Sequence, residues 1–108
     1  MAIQLHHFIA GKETPGVKAR YGDVYNPATG NITARAPFAG ADEVREVITA
    51  AQDAFPGWAA TPPLRRARIM FKFKELLDQN ADKLAKIITS EHGKVFSDAK
   101  GEVMRGIE

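Results

Sequence analysis

The segment of residues 61–94 constrains the fold more than any other part of this chain. Its large apolar side chains recur at steps of three, four and seven residues, which places them on one stripe of an α-helix. The stripe consists of Leu64, Ile69, Met70, Phe73, Leu76, Leu77, Leu84, Ile87 and Ile88. Charged residues occupy the other faces, so the segment predicts an amphipathic helix whose stripe must be covered by other parts of the protein.

Signals for helix ends lie at both ends of this segment. Thr61 is a suitable N-cap, Pro62 suits the first helical position, and Gly93 suits the left-handed position that follows a helix. Asn80 could end one helix or cap the next. The apolar period therefore leaves open whether the segment forms one helix or two.

The first third of the chain predicts short strands separated by turns. Residues 5–10 precede a turn at Gly11, and residues 21–25 form a second candidate strand. The segment Asn26-Pro27-Ala28-Thr29-Gly30 is typical of a turn, because Asn before Pro favours a turn entry and Gly tolerates a positive φ. Apolar and polar residues alternate over residues 31–37, as in a strand with one buried face. The strands, at about residues 5–37, predict a small antiparallel sheet.

Three amphipathic helices are expected after the strands, at about residues 41–56, 62–92 and 97–108. Asp42 and Glu43 favour the start of the first helix, since a helix N-terminus stabilises acidic side chains, and Pro56 followed by Gly57 predicts its end. The last helical pattern reaches Glu108 without a C-terminal cap. We therefore interpret residues 1–108 as an α+β fragment, part of one domain that is truncated at its C-terminal end.

The composition excludes several classes of site. The 108 residues include no cysteine, which removes disulfides, thiolate zinc ligands and a thiol nucleophile from this chain. The formal net charge is only +2, so a nucleic acid partner is not expected. The N-terminus lacks a signal-peptide pattern, and no apolar run is long enough to span a bilayer. We expect a soluble, cytoplasmic protein that does not bind a membrane.

The polar residues alone do not reveal an active site. The three histidines lack the spacing of a metal motif, and the nine glycines form no dinucleotide-binding or phosphate-binding loop. Arg65, Arg68 and Lys72 form a basic row of the kind usually found on a solvated helix face. Glu102 and Arg105, three residues apart on the last helix, could simply form a surface ion pair. We therefore predict no catalytic, cofactor-binding or metal-binding residues in this chain.

Several motifs, in this order, resemble the start of the aldehyde dehydrogenases. They are Phe8-Ile9-Ala10-Gly11-Lys12, Asn26-Pro27-Ala28-Thr29-Gly30, the Ala-Phe-x-x-Trp pattern that ends at Trp58, and Glu91-His92-Gly93-Lys94. Residues 64–73 and 101–108 are similar more specifically to the acylating methylmalonate-semialdehyde dehydrogenases. The ending Arg105-Gly106-Ile107-Glu108 narrows the choice most, and the resemblance extends from about Phe8 to Glu108.

The resemblance implies that this chain is the front part of a much longer enzyme and belongs to its α/β coenzyme-binding domain. In such enzymes a cysteine attacks the aldehyde, hydride passes to NAD, and the acyl group passes to coenzyme A. Methylmalonate semialdehyde yields propionyl-CoA in this way, and malonate semialdehyde yields acetyl-CoA. The residues for this chemistry are expected beyond Glu108, so the segment alone is expected to be inactive. The resemblance also implies a homotetrameric parent enzyme.

Arg105 is the one residue to which the resemblance assigns a role. It falls at the arginine that holds the distal carboxylate of the substrate in this family. A planar guanidinium suits that role because it binds a carboxylate through two parallel hydrogen bonds. Glu102 is then a candidate to orient Arg105. Two alternatives stay open: a non-catalytic helical interaction module, and an aldehyde dehydrogenase whose substrate has no carboxylate.

Overall fold

In a computed structural model, which describes residues 2–17 and 20–108, five short strands precede three helices. The strands are β1 Ile3–Gln4, β2 His7–Ile9, β3 Lys12–Thr14, β4 Tyr21–Tyr25 and β5 Ile32–Pro37. The helices are α1 Ala41–Ala60, α2 Pro63–His92 and α3 Phe96–Ile107. This order of strands and amphipathic helices agrees with the predicted α+β class. The chain divides into two compact units, one of Met1–Tyr25 with Asn31–Ala60 and one of Asn26–Gly30 with Thr61–Glu108.

The first unit contains a three-stranded sheet in which β5 lies between β1 and β4. β4 is antiparallel to β5, with Val24 opposite Ala34, whereas β1 is parallel to β5, with Ile3 opposite Ala34. The antiparallel pairing follows the prediction, but the parallel strand β1 does not. A strand of two residues is too short to show an alternating pattern. Ala34, paired on both sides, is buried.

Strands β2 and β3 of the same unit form a separate antiparallel hairpin, with Ile9 opposite Lys12. The two residues between them, Ala10 and Gly11, both have a positive φ, 50° and 78°. This is the geometry of a two-residue hairpin turn whose twist matches that of the strands. The turn expected at Gly11 is therefore confirmed.

Helix α1 continues through Pro56 to Ala60, so the prediction that Pro56 and Gly57 end it is wrong. Proline inside a helix removes one backbone donor and crowds the carbonyl four residues earlier. The hydrogen bond that Pro56 removes is the one to the carbonyl of Gln52, so the cost falls on the last turns of α1, and the earlier turns keep their hydrogen bonds. Asp42 and Glu43 lie in the first turn, as predicted.

Helix α2, in the second unit, is a single uninterrupted helix. Asn80 does not break it, and its side-chain Nδ2 donates to the backbone oxygen of Leu76 at 2.8 Å. The N-cap is Pro62 and not Thr61, and no side chain caps this end. Pro63 occupies the first turn, where proline is tolerated because the early N–H groups have no partner within the helix. Gly93 ends α2 with a φ of 83°, as predicted.

Helices α2 and α3 pack against each other, and their buried residues are small. Ala81 and Ala85 of α2 and Ala99 of α3 are buried, and small side chains let two helix axes approach closely. An ion pair between Lys100 Nζ and Asp82 Oδ1, at 2.7 Å, joins the two helices. Much of the predicted apolar stripe of α2 remains exposed, namely at Leu64, Ile69, Met70, Phe73, Leu76 and Ile87.

Candidate functional site

Arg105, the predicted substrate-binding residue, lies in the last turn of α3 with an exposed side chain. Among the residues that the structure describes, no carboxylate lies within ion-pairing distance of its guanidinium. Glu102, one helical turn earlier, interacts with Arg105 only through longer-range attraction. The guanidinium is therefore able to receive a carboxylate from outside this segment through its planar set of N–H donors.

Glu102 contacts Lys94, not Arg105. The Nζ of Lys94 donates to Oε1 of Glu102. This hydrogen bond holds the pKa of Glu102 below its ordinary value against a smaller opposing effect of burial, and attraction to Lys94, His92 and Arg105 adds to the lowering. The expectation that Glu102 orients Arg105 is therefore not met, because Glu102 is held by Lys94 instead.

The backbone around Lys94 is held by a tight turn between α2 and α3. Gly93, at a positive φ, donates its N–H to the backbone oxygen of Thr89 at 2.8 Å. Val95 is already the N-cap of α3, so Lys94 lies between two fixed residues. A side chain at position 93 would lie only 3.2 Å from Cγ of Pro27, which shows that the turn packs closely on the proline ring.

Pro27 belongs to the turn predicted at Asn26-Pro27-Ala28-Thr29-Gly30. The side-chain Oδ1 of Asn26 accepts a hydrogen bond from the N–H of Ala28 at 2.9 Å, and its backbone oxygen accepts one from Gly30 at 2.8 Å. Gly30 has a φ of 74°, which glycine adopts without strain. Two motifs singled out in the sequence, at residues 26–30 and 91–94, therefore meet in the second unit.

An apolar groove of about 280 Å³ runs between α2 and the C-terminal part of α3. It is lined by Leu77, Leu84, Ile87, Ile88, Val103, Gly106 and Ile107. Gly106 and Ile107 directly follow Arg105 in α3, so the charged residue and the apolar groove share the C-terminal turn of this helix. A groove of this composition has no polar group to carry out chemistry, and it offers only apolar contacts.

Glu43 is a buried polar residue whose place in the sequence predicts only a favourable helix start. Its carboxylate accepts hydrogen bonds from the N–H of Gly40 at 2.7 Å and of Val17 at 2.9 Å. His7 Nε2 lies 3.5 Å from Oε1 of Glu43. Its position three residues after Gly40, typical of the acid in a capping box, is the signal that could have identified it. These contacts fix the entry to α1 and suggest a structural role.

The described part of the chain contains no cluster of three or more His, Asp or Glu side chains that could hold a metal ion. The basic row on α2 is partly neutralised, because Lys72 Nζ lies 2.8 Å from Oε2 of Glu75. Within residues 2–17 and 20–108, no helix has both the length and the apolar character needed to cross a membrane. Arg105 and its surroundings are the candidate site that the family resemblance indicates.

Comparison with known proteins gives concordant matches over nearly the whole chain. The sequence model of the aldehyde dehydrogenase family matches residues 15–108. A malonate-semialdehyde dehydrogenase of Pseudomonas aeruginosa is 45% identical over 104 residues, which is 96% of this chain and 21% of the relative.

Two solved structures are similar in fold as well as in sequence. The methylmalonate-semialdehyde dehydrogenase of Oceanimonas doudoroffii has a TM-score of 0.92 at 48% identity, over 99% of this chain and 22% of that structure. A Sinorhizobium meliloti protein assigned to the same enzyme class and complexed with NAD has a TM-score of 0.94 at 41% identity, with the same coverage. The chain thus spans about a fifth of the length of the relatives that it matches.

Proposed function

The chain belongs to the aldehyde dehydrogenase family, and we propose that it is the N-terminal part of an enzyme that oxidises malonate or methylmalonate semialdehyde. The reaction is NAD- and CoA-dependent and gives acetyl-CoA or propionyl-CoA. NAD is supported by its presence in the S. meliloti relative, and CoA by the resemblance of residues 64–73 and 101–108 to the acylating enzymes. The proposal assigns this activity to the whole enzyme, and the 108-residue segment alone is inactive.

Within this segment the proposal assigns one ligand-binding role, to Arg105. The observation that carries it is that the acid nearest to Arg105 along α3, Glu102, is engaged by Lys94. A cation at a helix C-terminus also gains stability from the helix dipole, about 0.3–1 kcal/mol at an exposed position. The dipole effect would favour lysine as much as arginine, and it does not explain why the guanidinium has no carboxylate partner. Binding of a substrate carboxylate explains both the choice of arginine and the open position beside it.

On this proposal the cofactors bind outside this segment. The described glycines with a positive φ, Gly11, Gly30 and Gly93, lie in three separate turns, so they do not form a run of N–H donors around a pyrophosphate. The segment also has no cysteine to act as nucleophile. The proposal therefore assigns NAD, CoA and the reacting thiol to the remainder of the enzyme. On the family resemblance we also propose a cytoplasmic homo-oligomer.

The role of Arg105 is tested by substrate discrimination in the intact enzyme that contains this segment. Arg105→Leu is compared with Arg68→Leu, which removes the same charge from an exposed position of α2. Malonate semialdehyde and propanal serve as substrates that differ in the distal carboxylate. Loss of a charged hydrogen bond is expected to lower kcat/KM for malonate semialdehyde about 10- to 100-fold.

The same substitution is expected to leave kcat/KM for propanal unchanged, and Arg68→Leu is expected to affect neither substrate. Arg105→Lys, which keeps the charge but loses the planar fork, is expected to fall between wild type and Arg105→Leu. An equal loss for both substrates would show that Arg105 supports the fold. No loss for either substrate would remove the assigned role and favour an enzyme whose substrate has no carboxylate.

A further inference from the structure

Glu102 and Arg105 are spaced so that they would ordinarily interact. Residues three apart on an α-helix project from neighbouring positions of one face, where an acid and a base form an ion pair. In this structure Glu102 is engaged by Lys94, which lies in the turn before α3. Lys94 is the better shielded partner, since its side chain is 21% exposed against 45% for Glu102.

We propose that Lys94 is a positioning residue of the carboxylate site, which holds Glu102 away from Arg105 and keeps Arg105 available to the substrate. This inference rests on the proposed role of Arg105. Lys94 does not touch the substrate and takes no part in the chemistry. Its effect is on the affinity for substrates that carry a distal carboxylate.

Two physical effects of losing the Lys94 charge act in the same direction. Glu102 becomes free to pair with Arg105, and this intramolecular partner then competes with the substrate carboxylate for the same N–H donors. The negative charge of Glu102 is also no longer neutralised, and it repels an anionic substrate bound nearby. A neutral aldehyde experiences neither effect.

The backbone around Lys94 makes the arrangement specific to this position. Gly93 at a positive φ and the N-cap Val95 fix the chain on both sides of Lys94. Pro27 packs on Gly93 and restricts the turn further. The backbone of Lys94 is therefore held by the turn at a position from which its Nζ reaches Glu102.

The test measures KM and kcat of the intact enzyme for malonate semialdehyde and for propanal. Lys94→Met keeps most of the aliphatic stem and removes the charge. It is expected to raise KM for malonate semialdehyde about fivefold, the effect of one unshielded charge at short distance in water, with kcat and the propanal constants unchanged. The rise is expected to shrink at high salt, because exposed charges are screened.

The double variant Lys94→Met with Glu102→Gln is the decisive measurement. Without the carboxylate of Glu102, the competitor that the loss of Lys94 releases is absent, so KM for malonate semialdehyde is expected to return to within about twofold of wild type. Lys94→Arg keeps the pairing and is expected to resemble wild type. Lys72→Met, which breaks the pair with Glu75 on α2, serves as the matched control and is expected to leave KM and kcat unchanged for both substrates.

The outcomes separate this inference from the proposed function. If Arg105→Leu discriminates between the substrates but Lys94→Met does not, the inference on Lys94 is wrong and the role of Arg105 stands. If Lys94→Met raises KM equally for malonate semialdehyde and propanal, and adding Glu102→Gln restores neither value, Lys94 only stabilises the turn. The inference is then again wrong. Should Lys94→Met fold poorly, Lys94→Gln tests the second effect alone, since glutamine keeps a hydrogen bond to Glu102 but no longer neutralises its charge, and an unchanged KM for malonate semialdehyde would contradict the inference. If Arg105→Leu itself does not discriminate, the proposed function fails first.

Discussion

Pro27 packs against Gly93 so closely that a Cβ at position 93 would lie 3.2 Å from Cγ of the proline ring. Gly93 also has a φ of 83°, a conformation that residues with a side chain adopt at a cost. The turn that carries Lys94 therefore depends on glycine for two independent reasons. One is the backbone angle, and the other is the space occupied by Pro27.

Gly93→Ala is expected to lower the free energy of unfolding by about 1–3 kcal/mol, because it combines backbone strain with a contact that the rigid ring cannot relieve. Urea unfolding of the intact enzyme that contains this segment measures the effect. Gly101→Ala is the matched control, since nothing lies within 4 Å of its added Cβ and alanine favours a helix interior. That control is expected to be stabilising by about 0.5–1 kcal/mol.

A second pair of variants separates the two causes at position 93. Asn tolerates a positive φ better than Ala does, so Gly93→Asn is expected to retain the steric effect but lose part of the strain. Pro27→Ala in the Gly93→Ala background is expected to recover the steric part alone. If both single variants at position 93 were as stable as wild type, the turn would not have the geometry described above.

Glu43 is expected to contribute to the stability of the first unit through its two backbone hydrogen bonds. Glu43→Ala leaves the N–H groups of Gly40 and Val17 without this acceptor, which is expected to lower the free energy of unfolding by about 1–3 kcal/mol. Glu43→Gln keeps one acceptor oxygen and is expected to lose less. Glu46→Ala, at an exposed position of the same helix, is the control, and urea titration is the measurement. An equal loss for Glu43→Ala and Glu46→Ala would contradict the capping role.

The helices and turns of this chain can be predicted from sequence more readily than their packing. A helix stripe is a local pattern, so periodicity identifies α2 without knowledge of its neighbours. The same pattern ranks large residues as core, whereas the residues buried in α2 and α3 are Ala81, Ala85 and Ala99. Which residues of α2 are buried depends on how closely α3 packs against it. The sequence of α2 alone does not determine the distance between the two helix axes.

The candidate site shows the same division between local and long-range information. The resemblance to a family singles out Arg105, and helical spacing suggests Glu102 as its partner. The contact of Glu102 with Lys94, eight residues earlier, depends on the reversal of the chain between α2 and α3. Helical spacing predicts contacts between residues three or four apart, but not between two residues on opposite sides of a turn. The glycine that ends α2 predicts that a turn exists, but not which side chains it brings together.

The ion pair between Asp82 and Lys100 is expected to make the association of α2 and α3 sensitive to acid. The hydrogen bond and charge of Lys100 hold the pKa of Asp82 below its ordinary value. A carboxylate with a lower pKa in the folded state stabilises that state above its unfolded pKa, and this contribution is lost as the pH falls through the folded pKa. The loss is therefore expected below about pH 4.

Urea titrations at a series of pH values test this expectation. Lys100→Met removes the partner, so the stability of the variant is expected to depend less steeply on pH than that of wild type below about pH 4. Near neutral pH the two are expected to differ only slightly, because both side chains are largely exposed and such pairs are weak. Lys72→Met, a charge deletion elsewhere on α2, is the control. Parallel curves for wild type and Lys100→Met would contradict the prediction.

Ala99 of α3 is fully buried where α3 packs on α2, and a larger side chain is expected to separate the two helices. Ala99→Leu is expected to lower the free energy of unfolding by about 1–3 kcal/mol, since neighbouring residues must leave their preferred rotamers to accept it. Ala59→Leu adds the same atoms at an exposed position of α1 and is expected to change stability by less than about 0.5 kcal/mol.

Because Arg105 lies on α3 beyond Ala99, the displacement of α3 by Ala99→Leu is expected to weaken binding of malonate semialdehyde by the intact enzyme more than that of propanal. A stable Ala99→Leu variant with unchanged kinetics would show that the position of α3 does not determine that of the carboxylate site.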